Sequence, residues 1–209
     1  LRSVPQLPVI TVSAPDARIF AMYGADSVIT GNWGSDLSLL VRAARDAGAV
    51  VDFYTYYAGV IGAPTSIGAA GADRLHQVTY WHPNIAGFPG EDLYVEFKRR
   101  HREEWFTVTA YTSVAMLAEA IRRANSTDPL RVAYALEGLR MPGVTGEIEM
   151  RASDHQLQQP LYVSVFTRAG GAVRHDAEGT GYGFRTEKSI PAYVASTPTS
   201  CQMRRPARP

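Results

Sequence analysis

Apolar and polar positions along the chain fall into short units whose period switches between strand and helix. Asp26-Ser-Val-Ile-Thr30 is a brief apolar run, and Gly31-Asn-Trp-Gly34 reads as a turn. Leu37, Leu40, Val41 and Ala44 then recur at helical spacing, with Ser35 or Asp36 expected at the N-cap and Gly48 as the stop. Ala49–Phe53 is the next expected strand. Its continuous apolar character suits a parallel sheet covered on both faces.

The alternation continues. Ala58–Pro64 reads as a glycine-rich loop, Ala69–Arg74 as a short helix and Gln77–Trp81 as a third strand. Glu91–His101 is amphipathic, and Val108–Ala124 carries the broadest apolar stripe. Asp128-Pro129 pairs an N-cap with a proline at the first helical position, opening a helix to about Glu137. Gly146–Arg151 and Leu161–Thr167 alternate as strands. Residues 1–21 form an unassigned arm, 22–188 the folded part, and 189–209 a tail expected to be irregular. The class is α/β, a parallel sheet flanked by helices.

Composition narrows function more than fold. The chain has 209 residues, 45% hydrophobic and 20% charged, which is ordinary for a globular protein. A net charge of +1 supplies no field to attract nucleic acid or an anionic membrane. A lone Cys201 excludes an internal disulfide and a multi-cysteine zinc site. It is expected to be free or to pair with a cysteine outside this chain. The chain begins at Leu1 without a methionine, so its natural start is expected upstream.

No enzymatic motif has the right spacing. A phosphate loop, a three-glycine dinucleotide turn and a nucleophile elbow are all lacking. Ser153-Asp-His155 are adjacent, whereas catalytic triads assemble from distant segments. The expected role of Asp154 is to bond its own turn. Glu103-Glu104 reads as a solvated pair. No enzyme, metal or cofactor is expected.

Aromatic residues in loops remain. Trp33 follows the first strand, Tyr54, Tyr56 and Tyr57 the second, and Trp105 and Phe106 precede the long helix. Loops at the carboxyl ends of parallel strands converge on a ligand crevice. Their rings offer apolar contact at small entropic cost. Packing is expected of Tyr54 and Trp105, and ligand contact of Trp33, Tyr56 and Tyr57. Phe106 divides evenly between the two. Asn32 either orients a ligand or stabilises its turn.

In order and spacing, several stretches resemble the type I periplasmic substrate-binding proteins of ABC importers, the leucine/isoleucine/valine-binding group. They are Ala25–Leu37, Ala43–Gly48, Ala70–Leu75, Ala110–Ile121, Gly146–Met150 with Asp154-His-Gln156, and Cys201–Pro206. The resemblance implies a clamshell of two α/β lobes, of which this chain is the C-terminal half and therefore incomplete. It implies capture of an amino acid, aromatic acid or amide between the lobes, and delivery to an inner-membrane permease. It also implies a periplasmic location and a monomer when full length. Trp33 and Phe106 fall where the family places pocket aromatics. Tyr57 falls where amino-acid binders carry a glutamate for the ligand ammonium group. A buried ammonium group without a carboxylate is unfavourable, so Tyr57 points to an uncharged-tail compound. A ligand-sensing domain of the same fold and a small α/β hydrolase are the competing readings.

Overall fold

The computed structural model of the chain describes residues 24–106, 108–200, 202 and 204–208. The arm at 1–21 and Cys201 lie outside the described residues.

Three βα steps build one edge of the larger sheet. Strand β1 (Ser27–Ile29) leads through helix α1 (Gly34–Asp46) to β2 (Asp52–Thr55). Helix α2 (Ala63–Ile67) and a 3₁₀ turn at Gly68–Gly71 then lead to β3 (Leu75–Thr79). All three strands pair in parallel. The chain continues into α3 (Glu91–His101), α4 (Val108–Ala124) and α5 (Pro129–Leu136). A small antiparallel sheet follows, of β4 (Arg140–Gly143), β5 (Gly146–Met150) and β6 (Leu157–Gln158). Finally β7 (Leu161–Arg168) and β8 (Tyr182–Ile190) return to the first sheet as an antiparallel hairpin, giving the order β1-β2-β3-β7-β8. The one-turn helix α6 (Ala192–Ala195) comes last.

The larger sheet is therefore mixed rather than wholly parallel. A hairpin connection is short enough to make β7 and β8 antiparallel, whereas each parallel pair needs a helical crossover. Leu37, Leu40, Val41 and Ala44 of α1, with Ala63 and Ile67 of α2, pack on Phe53, Leu75, Phe166 and Phe184 of the sheet. A second cluster joins α4, α5 and the small sheet through Met116, Ala120, Val132, Leu139 and Ile148. Between them lies an aromatic cluster centred on Trp81.

Several boundaries differ from the sequence pattern. Helix α1 has Trp33, not Ser35 or Asp36, at its N-cap, in extended geometry and without a side-chain cap. Gly34, at φ +57°, lets the chain turn into the helix earlier. Asp36 then lies in the first turn, where its charge complements the helix dipole. Strand β3 sits two residues earlier than its expected position. A two-residue shift keeps every side chain on its face, and it places Leu75 in the core. Strand β2 begins later than expected because Asp52 pairs with Ser27 of β1. Within the expected loop at 58–64, Pro64 opens α2. Instead of a helix at 69–74 there is only the 3₁₀ turn. Strand β4 carries Pro142, tolerated because it lies at a sheet edge. The tail expected to be irregular begins inside β8 and includes α6.

Where the pattern named a cap correctly, the geometry explains it. Asp128 accepts hydrogen bonds from the backbone N–H groups of Leu130 and Arg131 at 3.1 and 3.0 Å. Asp128→Ala is expected to cost about 1 kcal/mol in urea unfolding, and Asp128→Ser to restore most of it.

Candidate functional site

The three parallel strands end alike. Thr30, just past β1, Thr55 at the end of β2 and Thr79 at the end of β3 each accept a hydrogen bond from a backbone N–H two residues on. The donors are Asn32, Tyr57 and Trp81, at 3.1, 3.2 and 3.4 Å. A threonine hydroxyl standing in for a carbonyl turns the chain sharply out of the strand. This device recurs in each βα step and sends aromatic residues to the rim. Threonine at the end of each apolar run was the available sequence signal.

A cleft opens at this end of the sheet, enclosing about 680 Å³, part of it open to solvent. One wall comes from the loop after β2, with Tyr56, Gly59 and Val60. A second comes from Thr79, Tyr80 and Trp81 after β3, and a third from Glu104, Trp105 and Phe106 before α4. The hairpin between β7 and β8 closes it with His175, Ala177 and Glu178.

Of the residues expected to touch a ligand, the cleft brings together Tyr56 and Phe106. Trp33, Asn32 and Tyr57 do not line it. Trp33 is 68% exposed and Tyr57 40% exposed, on the neighbouring rim above β1 and β2. Tyr57 meets Tyr56 edge-on at 6.4 Å. The backbone N–H of Asn32 is held by Thr30, so its turn is stabilised without its side chain. Trp105 is buried, as the packing expectation had it, and Tyr54 stacks on His76 at 4.6 Å.

Trp81 organises the cleft from below. It is 9% exposed and meets Phe88, Tyr94 and Trp105 edge-on at 5.3 to 5.8 Å. Its indole N–H donates to the carbonyl of Trp105 at 3.2 Å, which fixes the segment carrying Phe106.

The charged groups at the cleft are already engaged. Glu104 accepts from Lys98 at 2.8 Å, from the Tyr94 hydroxyl at 3.1 Å and from the backbone N–H of Glu178 at 3.1 Å. It is a structural hub, not the freely solvated partner of Glu103. Burial, reinforced by Glu104, pushes the Tyr94 phenol far above its usual range, so its proton stays to donate. Glu178 accepts from the N–H groups of Gly62 and Thr65 and from the Thr65 hydroxyl, closing the start of α2. Asn84 exchanges two 2.8 Å hydrogen bonds with the backbone of His175, like a strand pair made by a side chain. Arg174 and His175 also reach Glu91, whose carboxyl they hold below its usual range.

Buried His82 bridges two elements: its Nδ1 accepts from the Asn84 N–H at 3.2 Å, and its Nε2 therefore donates to the Thr186 hydroxyl at 2.8 Å. Elsewhere, Asp154 accepts from Arg151 and from the Gln156 N–H, so it bonds its own turn as expected. Arg151 holds it well below the usual carboxylate range. Among the described residues no group of three or more His, Cys, Asp or Glu is placed to hold a metal ion. No helix among them is long and apolar enough to cross a membrane.

Known proteins share this architecture. Over 194 residues the chain is 30% identical to the Leu/Ile/Val-binding protein homolog 4 of Brucella abortus, covering 87% of this chain and 44% of that protein. The closed leucine-, isoleucine-, valine-, threonine- and alanine-binding protein of Brucella ovis superposes with a TM-score of 0.82 at 26% identity. That match covers 92% of this chain and 50% of the other. An ABC-transporter solute-binding protein of Rhodopseudomonas palustris BisB5, solved with 3,4-dihydroxy benzoic acid, gives a TM-score of 0.69 at 12% identity, over 86% and 48%. The chain thus spans about half the length of the curated relatives it matches. Residues 16–172 match the family described as Periplasmic binding protein. With three-quarters of its length in that match, the chain belongs to the periplasmic binding protein family.

Proposed function

We propose that this chain is one half of the solute-binding component of an ABC-type importer. It captures an amino acid, aromatic acid or amide at the carboxyl ends of β1–β3 and delivers it to an inner-membrane permease. The observation that carries this reading is the aromatic cleft itself, whose charged side chains are all engaged with protein partners. Such a site offers apolar contact and neutral polar groups rather than chemistry. Tyr56 and Phe106 form its mouth, and Trp33, Asn32 and Tyr57 extend the surface toward the half of the clamshell that lies outside this chain. The protein works as a periplasmic monomer, without cofactor or nucleic acid, by closing around the solute.

Ring acids and amides are favoured over leucine because Tyr57 supplies no carboxylate for an ammonium group. The R. palustris protein shows that the fold has room for a ring acid. Isothermal titration of the two-lobed protein that contains this chain, with leucine, benzoate, p-hydroxybenzoate and benzamide, tests this. A ring compound is expected to bind and leucine to give no heat. Phe106→Ala and Tyr56→Ala are each expected to weaken that binding about tenfold, with the melting temperature little changed. Strong binding of leucine overturns the ligand class, and no binding by any of the four overturns the solute-binding reading.

A further inference from the structure

On the face of the large sheet beneath α1 and α2, a polar line crosses the strands near the carboxyl end of the parallel ones. Thr55, Gln77 and Ser164 stand opposite one another in register on β2, β3 and β7. All three are at least 97% buried. The Thr55 hydroxyl is used by the Tyr57 N–H. The Ser164 hydroxyl is buried without a partner. Gln77 lines the cleft, and among the described residues its side-chain amide makes no hydrogen bond. A polar atom shut away without a partner, as Ser164 Oγ is, is rare because lost water is not replaced; the amide of Gln77 instead borders the cleft, on a side chain otherwise buried.

The surroundings keep this amide available. A Cβ on Gly59 would stand 2.9 Å from Gln77 Oε1 and 3.5 Å from Nε2. Glycine there leaves the amide its room. The other buried polar groups at the cleft are committed: His82 to Thr186 and Asn84, and Tyr94 to Glu104. Glu104 and Glu178 disfavour an anion entering beside them, and among the described residues no unpaired cation lines the cleft to receive one.

From this we infer that Gln77 is the specificity-determining residue at the floor of the cleft. Its amide hydrogen-bonds an uncharged polar substituent, a hydroxyl or carboxamide, on the inner end of a planar solute. The ring lies among the aromatic walls, and any carboxylate of the solute points outward, away from Glu104 and Glu178. This rests on the solute-binding reading above and deepens it, because it sets the orientation of the solute and the substituent that is selected.

The test compares p-hydroxybenzoate with benzoate, which differ by one hydroxyl, by titration calorimetry on the same two-lobed protein. The unaltered chain is expected to bind the hydroxylated acid about five- to tenfold more tightly, the effect of one hydrogen bond. Gln77→Met keeps the volume and removes the amide. It is expected to bind benzoate as before and to bring the ratio to about one. Gly59→Ala crowds the amide without replacing it and is expected to lower the ratio as well, which keeps the test open should Gln77→Met fail to fold. An equal ratio in the unaltered chain, or an undiminished preference in both variants, overturns the inference while solute binding stands. Binding of leucine but of none of the three ring compounds also overturns it and leaves that reading intact. No binding by any of the four overturns both.

Discussion

Trp81→Ala is expected to lower the unfolding free energy by about 3–5 kcal/mol, the usual cost of emptying a buried aromatic site. Two losses combine. Three edge-on partners, Phe88, Tyr94 and Trp105, lose the ring that holds them together. The Trp105 carbonyl also loses the indole donor 3.2 Å away, in a place where water reaches poorly. Trp81→Phe separates them: it retains most of the packing and loses the donor, so about 1–2 kcal/mol is expected. Urea unfolding of the three proteins reads both values. Because Trp105 positions Phe106, the alanine variant is also expected to lose the binding of ring compounds. A loss below about 1 kcal/mol for Trp81→Ala would show that the cluster repacks and does not hold the cleft open.

The second large effect concerns pH. Burial lowers the pKa of His82 from 6.5 to about 4. In the unfolded chain the imidazole takes up a proton near pH 6.5, and in the folded chain only near 4. Between these values the unfolded state binds more protons, so stability is full above pH 6.5 and declines as pH falls toward 4. The expected loss across that window is about 3 kcal/mol. Its structural origin is the burial of the ring, whose Nδ1 accepts from the Asn84 N–H and which packs edge-on against uncharged Tyr162.

Other groups act lower on the scale. Arg99 and Arg100 hold Glu96 at about 2, and Arg122 and Arg123 do the same for Glu119. The stability those two carboxylates add is present above about pH 4.5 and is lost only as pH falls from there toward 2. Unfolding free energies at pH 7.5, 6.5, 5.5 and 4.5, compared between the unaltered chain and His82→Gln, therefore separate the share of this histidine. His82→Gln should flatten the curve in this range, at a fixed cost at neutral pH. An unchanged slope in the variant would place the titrating group elsewhere.

Much of the architecture was legible because it depends on local pattern. The helical stripe of α4, the Asp128-Pro129 start of α5 and the alternation of β5 and β7 are each written in consecutive residues. So is the repeated order of apolar run, turn and helix, which identified the α/β class. The resemblance to the periplasmic binding proteins rested on the same ordered segments. Less visible were β4, with its proline, and β8, whose outer half carries Glu187 and Lys188 at a sheet edge. Edge strands need not alternate cleanly, because one side of the backbone has no neighbour to satisfy.

For the candidate site, the sequence identified residue types and the end of the sheet, but not which of them meet. Trp33, Asn32, Tyr56, Tyr57 and Phe106 were singled out as loop residues following strands or preceding a helix. Tertiary structure alone separated Tyr56 and Phe106, which share the cleft, from Trp33, Asn32 and Tyr57, which sit on the rim beside it. It also decided that Glu104 is spent on Lys98 and Tyr94, that Glu178 closes α2 from more than a hundred residues away, and that Gln77 has no such partner among the described residues. The physical reason is one of range. Backbone hydrogen bonding and side-chain periodicity act over a few residues and are recorded locally. Which polar groups satisfy one another is settled only when distant loops are brought within about 3 Å.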